Sequence, residues 1–216
     1  MNLLKQYLKK TEFYTIWTDY KKKRNLRREE KKIIDDWKQK GRPAPPPQTF
    51  KQQVIRLYAK KFKSKVFVET GTYMGDTVEY SKSLFQSIYS IELDAKLFEN
   101  AKNKFKSDPH VSIIYGDSGE RIQEILINID KSILFWLDGH YSEGFTAKGT
   151  LNTPIISELN HILNRSISNQ VILIDDARCF NGTEDYPSVD QIKELVRSYD
   201  PRLKCYVEHD IIRIYQ

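Results

Sequence analysis

Acidic side chains follow several short apolar segments of this sequence, at positions where they can meet a charged ligand. Glu69 follows the run Val66-Phe67-Val68 and precedes two glycines, Gly71 and Gly75. Glycine lets a backbone approach a ligand closely, and the amides of a helix that begins there face the same ligand. An acid at this place repels a pyrophosphate and attracts a cation. Because the glycine spacing also departs from the dinucleotide fingerprint, the segment favours a cationic nucleotide-type ligand such as S-adenosylmethionine.

Two further apolar segments end in polar residues. Glu92 follows the segment 87–91, where an acid at the end of a second strand accepts hydrogen bonds from ribose hydroxyls. Asp94 is predicted to cap the next helix. The segment 111–115 ends in Gly116-Asp117-Ser118, where a short acid or a hydroxyl can meet the edge of an adenine ring.

Three aspartates follow two later apolar runs. Asp138 comes after residues 132–137, and the pair Asp175 and Asp176 comes after residues 171–174. Adjacent parallel strands end at the same edge of a sheet, so these carboxylates are expected to converge. Carboxylates that converge repel each other unless a cation lies between them. Oxygen ligands of this kind suit a hard divalent ion such as Mg²⁺.

Helical patterns alternate with the apolar segments, which predicts an α/β fold with a parallel sheet. The predicted helices after the first strand are 76–85, 95–105, 119–128, 153–163 and 188–198. The last two strands are predicted at 203–208 and 210–215, joined tightly through His209.

From Phe62 to the C-terminus the chain resembles the class I S-adenosylmethionine-dependent methyltransferases, on the residues Glu69 to Gly75, Glu92 and the Gly116-Asp117-Ser118 turn. The resemblance implies a doubly wound, Rossmann-like sheet of seven mostly parallel strands with a C-terminal antiparallel hairpin and helices on both faces. It also implies that the methionine part, the ribose and the adenine region of the cofactor are held in that order along the chain. The cofactor contacts that it implies are Glu69, Gly71, Thr72, Gly75, Glu92, Asp117, Ser118 and Asp138.

The three aspartates resemble the metal ligands of metal-dependent O-methyltransferases that act on sugars and other small molecules, the macrocin O-methyltransferase type. In those enzymes the metal binds two adjacent substrate hydroxyls and lowers the pKa of the attacking one. The resemblance makes Asp138, Asp175 and Asp176 metal ligands. His140 stands where the sugar enzymes often have a second acid, which leaves the general base open between His140 and a metal-bound Asp138.

Substrate contacts are expected in two loops and in the N-terminal arm. The polar segment 142–150 lies between the two acidic strand ends, and Lys148 is its candidate contact for an anionic substrate. Tyr141 and Arg178 stand beside the proposed site and are weaker candidates. A second loop, 178–187, carries the turn signals Asn181-Gly182 and Tyr186-Pro187.

The positive charge lies near the N-terminus. Residues 1–40 carry thirteen Lys or Arg against six Asp or Glu, whereas the whole chain of 216 residues has 35 against 29. The predicted organisation is a basic helical arm with a Pro-rich connector at 1–48 and a methyltransferase domain at 49–216. The arm is predicted as one or two helices, 3–20 and 21–40, and Thr49 is predicted to cap the helix that precedes the first strand.

Four roles are open to the arm: a lid on the domain, a homodimer contact, an anionic membrane surface and nucleic acid. Nucleic acid is disfavoured, because no Asn-Pro-Pro-aromatic motif follows the fourth strand. The apolar runs are too short to span a membrane, and no signal-peptide pattern opens the chain. Two cysteines, Cys179 and Cys205, do not make a disulfide framework, so a reducing cytoplasmic location is expected.

The sequence therefore predicts an S-adenosylmethionine-dependent O-methyltransferase, assisted by a divalent metal, that acts on a hydroxyl of a sugar or other small molecule. Polysaccharide or natural-product biosynthesis is the expected setting. One rival is a metal-independent methyltransferase that recognises RNA or protein through the basic arm. The other is a non-catalytic binding module, against which the acids at three strand ends argue.

Overall fold

The computed structural model describes residues 12–139, 153–165 and 170–216. The chain divides into two compact units, Met1–Lys51 and Gln52–Gln216. The functional boundary between residues 48 and 49 stays a prediction. Within the described ranges, no helix is both long enough and apolar enough to cross a bilayer.

The first unit contains a long helix, α1 (Glu12–Gln39). It is continuous across residues 20 and 21, where the sequence allowed either one helix or two. Gly41 and Arg42 end it in the left-handed conformation, with φ of 82° and 59°, a common way to close a helix. Beyond that end, the Trp37 indole donates to the carbonyl of Pro43 at 2.8 Å. The Trp37 ring also packs against Phe50 at a centroid distance of 4.6 Å.

Helix α2 (Gln48–Phe62) begins one residue earlier than predicted, and Thr49 is not its cap. The carbonyl of Pro47 accepts the amides of Phe50 and Lys51 at 2.8 and 3.2 Å, so the helix starts from the proline connector. Thr49 lies inside the first turn, and its buried hydroxyl has no hydrogen-bond partner among the described residues.

The second unit is built on a seven-stranded sheet with the order β3-β2-β1-β4-β5-β7-β6. Its strands are β1 (Val66–Thr70), β2 (Ser87–Glu92), β3 (Val111–Tyr115), β4 (Ile133–Leu137), β5 (Val171–Ile174), β6 (Lys204–Glu208) and β7 (Ile211–Tyr215). Its helices are α3 (Asp76–Ser81), α4 (Ala95–Lys104), α5 (Ser118–Ile127), α6 (Ile155–Leu163) and α7 (Val189–Tyr199), with a short 3₁₀ helix at Ala177–Cys179.

The first five strands are parallel, and β7 pairs antiparallel with both β5 and β6. Strands β1, β4 and β5 are buried along their whole length, as expected for central strands covered on both faces. Their apolar runs join α5, α6 and α7 in one hydrophobic core. The predicted fold class is confirmed.

The helices of this unit agree with the sequence patterns to within two residues, except at the end of α3. Asp94 caps α4, and its side chain accepts the amides of Lys96 and Leu97, as predicted. Helix α3 stops at Ser81, however, four residues short of the predicted end at Phe85. Phe85 is buried and stacks on Phe67 at 5.0 Å, so the chain leaves the helix to bring this ring onto β1.

Candidate functional site

The turn after β1 brings the ends of three parallel strands together. Gly71 has a φ of 83°, and a Cβ built on it would lie 2.6 Å from the carbonyl oxygen of Asp138. Its amide donates to the carbonyl of Ile91 at 2.9 Å. Gly71 is therefore glycine because the end of β4 comes so close. Gly75, with a φ of 74°, is the N-cap of α3, and a Cβ built on it would lie 2.7 Å from the Phe105 ring.

Glu69 lies under this turn and is almost completely buried. The hydroxyl of Ser90 donates to its carboxyl group and lies 2.6 Å from the hydroxyl of Thr72. Burial raises the pKa of Glu69 to about 8, against hydrogen bonds that lower it, and the charges of Asp138 and Glu92 raise it further. Without a cation nearby, Glu69 is therefore mostly protonated at neutral pH.

Glu92 ties the glycine turn to the end of β2. One carboxylate oxygen accepts the amide of Tyr73 at 2.8 Å, and the other accepts the amide of Asp94 at 2.9 Å. Each oxygen keeps a further lone pair, because an ionised carboxylate offers about four acceptor positions. Glu92 can therefore shape the turn and still accept hydrogen bonds from a ligand. Tyr73, beside it, is non-glycine at a φ of 47°, and such strained positions are common where ligands bind.

The residues after β3 form the start of α5. Asp117 is its N-cap, and its Oδ1 accepts the amide of Gly119 at 2.8 Å. Ser118 is buried at the first position of the helix. Asp117 thus has a structural role, and an adenine contact by either residue stays a prediction.

Asp138 stands at the end of β4, half-buried between the other acids. Its amide donates to both the carbonyl and the hydroxyl oxygen of Thr70, at 3.1 and 3.2 Å. The amide of Gly139 reaches the same hydroxyl oxygen at 3.2 Å. The negative charge of Asp138 also contributes to the raised pKa values of Glu69 and Glu158, so it acts on both of these buried carboxyl groups.

Glu158 belongs to this group and was missed in the sequence. It lies on α6 and is 1% exposed. Burial raises its pKa to about 7, hydrogen bonds from Ser118 and Thr70 lower it, and the charges of Asp117 and Asp138 raise it. The available signal was its position three residues after Ile155 and four before Ile162, on the buried face of an amphipathic helix.

The aspartates after β5 are held by an arginine. Asp175 is buried, and its Oδ1 accepts the amide of Asp176 at 2.9 Å. Asp176, at a φ of 53°, pairs with Arg178 at 2.8 Å, and the same guanidinium pairs with Asp210. Burial lowers the pKa of Arg178, but the hydrogen bonds and charges of the two aspartates raise it overall. Arg178 pairs with both aspartates in the structure, and its contact with a substrate stays a prediction.

The aspartates of the predicted magnesium site have other partners in this structure, and the metal site stays a prediction. Asp176 already faces a guanidinium, and Asp175 turns one oxygen to a backbone amide. Among residues 12–139, 153–165 and 170–216, no group of three His, Cys, Asp or Glu side chains is arranged to hold a metal ion. The predictions for His140, Tyr141 and Lys148 lie outside the described residues.

Solved structures that resemble this chain include several methyltransferases. The chain resembles an O-methyltransferase from Bacillus cereus, solved with S-adenosylhomocysteine, with a TM-score of 0.58 and 13% identity over 87% of this chain and 90% of that one. This chain has the class I methyltransferase fold. It also resembles TomG, an O-methyltransferase of tomaymycin synthesis from Streptomyces achromogenes, with a TM-score of 0.51 and 14% identity over 86% and 87% of the two chains.

A third similar structure of this fold is an rRNA methylase from Streptococcus thermophilus, with a TM-score of 0.50 and 12% identity over 81% of this chain and 98% of that one. No protein-family model matches the sequence, and no curated protein matches it significantly. The resemblance to the class I methyltransferases is confirmed at the level of the fold. The macrocin-type subgroup is not.

Proposed function

We propose that this protein is an S-adenosylmethionine-dependent O-methyltransferase that acts on a hydroxyl of a small molecule. The observation that carries the proposal is the pair of buried acids, Glu69 and Glu92, on either side of the glycine turn at the ends of two adjacent parallel strands. The solved neighbours with S-adenosylhomocysteine or S-adenosylmethionine bound include O-methyltransferases. A sugar is the acceptor class that we favour.

We use 'crevice' for the space between the β1 turn and the ends of β2 and β4, where the cofactor would bind. The charge around this crevice suits S-adenosylmethionine. Glu69, Glu92 and Asp138 surround the turn after β1. Their negative charges would attract the sulfonium and ammonium groups of the cofactor more strongly than the backbone amides of the turn would repel them. Gly71, Thr72 and Gly75 would contact the methionine part and Glu92 the ribose. Asp117 and Ser118 would border the adenine region. Much of the binding energy is therefore electrostatic, and a cation favours the ionised form of Glu69.

The residues of the chain orient the acceptor and take up its proton. When bound, S-adenosylmethionine supplies a methyl group that passes to the acceptor oxygen as the carbon–sulfur bond breaks and S-adenosylhomocysteine leaves. Asp138 is half-buried beside the crevice and is the described candidate for the group that accepts the hydroxyl proton. His140 remains the other candidate. Orientation of the two reactants supplies a large part of such a rate enhancement.

No step of this proposal runs through a metal ion, because Arg178 provides the positive charge between Asp176 and Asp210. Metal assistance by Asp138, Asp175 and Asp176 stays a prediction. Release of S-adenosylhomocysteine in EDTA, compared with release in Mg²⁺, decides it. Loss of turnover in EDTA that Mg²⁺ restores would support a metal site completed by residues outside the described ranges.

The rival is RNA methylation through the basic arm, which the exposed Lys and Arg side chains of α1 and the rRNA methylase fold favour. An acceptor panel distinguishes the two. We would measure S-adenosylhomocysteine release with nucleotide sugars, free sugars, aromatic diols and RNA oligonucleotides. Turnover confined to RNA contradicts the small-molecule proposal.

The role of Glu92 gives the first variant to test. Glu92→Gln keeps the shape and removes the charge, so the KM for S-adenosylmethionine should rise about tenfold or more, as for a lost charged hydrogen bond. Glu99→Gln, an exposed glutamate on α4, is the matched control and should change neither KM nor kcat. Equal kinetics for Glu92→Gln and the wild type would remove Glu92 from the cofactor site.

A further inference from the structure

The carboxyl group of Glu158 is buried next to the candidate site and has no part in the chemistry proposed above. Its side chain is 1% exposed, and its Oε1 has no hydrogen-bond partner among the described residues. A buried carboxyl group with an unmet hydrogen-bonding position is destabilising. Packing alone would be served better by an apolar residue on this face of α6.

The contacts of α6 place Glu158 behind the end of β4. The hydroxyl of Ser157 donates to the carbonyl of Gly119 at 2.8 Å, which fixes α6 against the start of α5. Hydroxyl groups of Ser118 and Thr70 interact with the Glu158 carboxyl group. A Cβ built on Gly139 would lie 3.1 Å from the Thr70 hydroxyl oxygen and 3.2 Å from that of Ser118. The Thr70 hydroxyl therefore contacts both Glu158 and the backbone after β4, and the Ser118 hydroxyl lies beside Gly139.

Thr70 connects the carboxyl group to that backbone. Its Oγ1 accepts the amide of Asp138 and the amide of Gly139, both at 3.2 Å. A hydroxyl oxygen has two acceptor positions and one proton to donate. With both acceptor positions used, the proton is left for Glu158. The orientation of the Thr70 hydroxyl, and so the position of the two amides, depends on an acceptor at Glu158.

We propose that Glu158 is a positioning residue of the cofactor site, which acts through the hydroxyls of Thr70 and Ser118 to hold the Asp138–Gly139 backbone in place. This inference rests on the proposed function. The held backbone forms one wall of the crevice, because the Asp138 carbonyl lies against Gly71 in the opposite turn. A displaced β4 end would change both the turn that contacts the cofactor and the position of the Asp138 carboxylate.

The test is a double-mutant cycle on the affinity for S-adenosylmethionine, measured by calorimetry on the full chain. Thr70→Val and Glu158→Leu should each weaken binding about tenfold, the effect of one charged hydrogen bond, because neither side chain can make the connection. The double variant should bind as weakly as either single variant, because both remove the same connection. Thr70→Ser keeps the hydroxyl and should bind like the wild type. Glu124→Gln, an exposed glutamate on α5, is the control.

Urea unfolding of each variant separates positioning from stability, since a merely structural role would lower stability without coupling the two sites in cofactor affinity. If the losses of Thr70→Val and Glu158→Leu add in full, the proposal is overturned. If Glu158→Leu does not fold, equal binding by Thr70→Val and Thr70→Ser overturns it instead. A wild-type chain that binds no S-adenosylmethionine overturns the proposed function, whereas wild-type binding with additive losses overturns this inference alone.

Discussion

Single residues carry the electrostatics of the candidate site. Glu69 and Glu158 are both buried, and both have their pKa raised first by burial, with Asp138 contributing in each case. The protein thus keeps two carboxyl groups that are partly or mostly protonated at neutral pH near the half-buried Asp138. A cofactor with a sulfonium charge would reverse this balance by favouring the ionised forms.

A dependence of stability on pH follows from Glu69. Between its ordinary pKa of 4.5 and its folded-state pKa of about 8, the unfolded chain releases this proton whereas the folded chain keeps it, so stability falls as the pH rises. Glu69→Gln removes the effect. The variant should gain stability relative to the wild type as the pH rises between these two values, by on the order of 1 kcal/mol per pH unit.

Urea unfolding between about pH 5 and pH 8 measures this change. The slope should decrease in Glu69→Gln without vanishing, because Glu158 keeps its own raised pKa. Parallel pH profiles for the two proteins would mean that Glu69 ionises in the folded chain as it does in the unfolded one.

At the scale of elements, the site depends on how closely the β1 turn approaches the end of β4. Gly71→Ala places a Cβ 2.6 Å from the Asp138 carbonyl oxygen, at a φ of 83°. Gly182 has nearly the same φ, 85°, but a Cβ there meets nothing nearer than 3.6 Å. The two alanine variants therefore share the backbone strain, and only Gly71→Ala adds the clash.

We expect Gly182→Ala to lose about 1–2 kcal/mol of unfolding free energy, the usual cost of a left-handed alanine. Gly71→Ala should lose at least about 2 kcal/mol more and should also bind S-adenosylmethionine more weakly. Chemical denaturation and calorimetry of the pair check both statements. Equal losses of stability in the two variants would contradict the close approach of the two elements.

At the scale of the whole molecule, the sequence predicted the elements better than their side-chain partners. Strands β3 and β5 begin and end where the predicted strands do. For β5 the reason is that an entirely apolar segment of this length fits a sheet that is covered on both faces. The pairing of Arg178 with Asp210 could not be read from the sequence, since it depends on how the β6–β7 turn reaches the 3₁₀ helix. Glu158 was missed because a glutamate on a helix usually faces solvent.

The sequence also indicated which residues approach the crevice better than what they do there. Glu69, Glu92 and Asp138 do stand at adjacent strand ends, because a strand end is fixed by the pattern of its apolar residues. Whether Asp175 and Asp176 meet Asp138 at a metal depends on side-chain direction, which the apolar pattern does not fix. In the structure Asp176 has a left-handed backbone and pairs with Arg178.

We propose that the crevice between the β1 turn and the ends of β2 and β4 binds S-adenosylmethionine. Titration of this cofactor into the full chain by calorimetry, first in EDTA and then in Mg²⁺, is the most direct test. We expect saturable binding of one cofactor per chain in both conditions, since the proposed contacts involve no metal. An absence of saturable binding in both conditions would leave the fold without the function proposed for it.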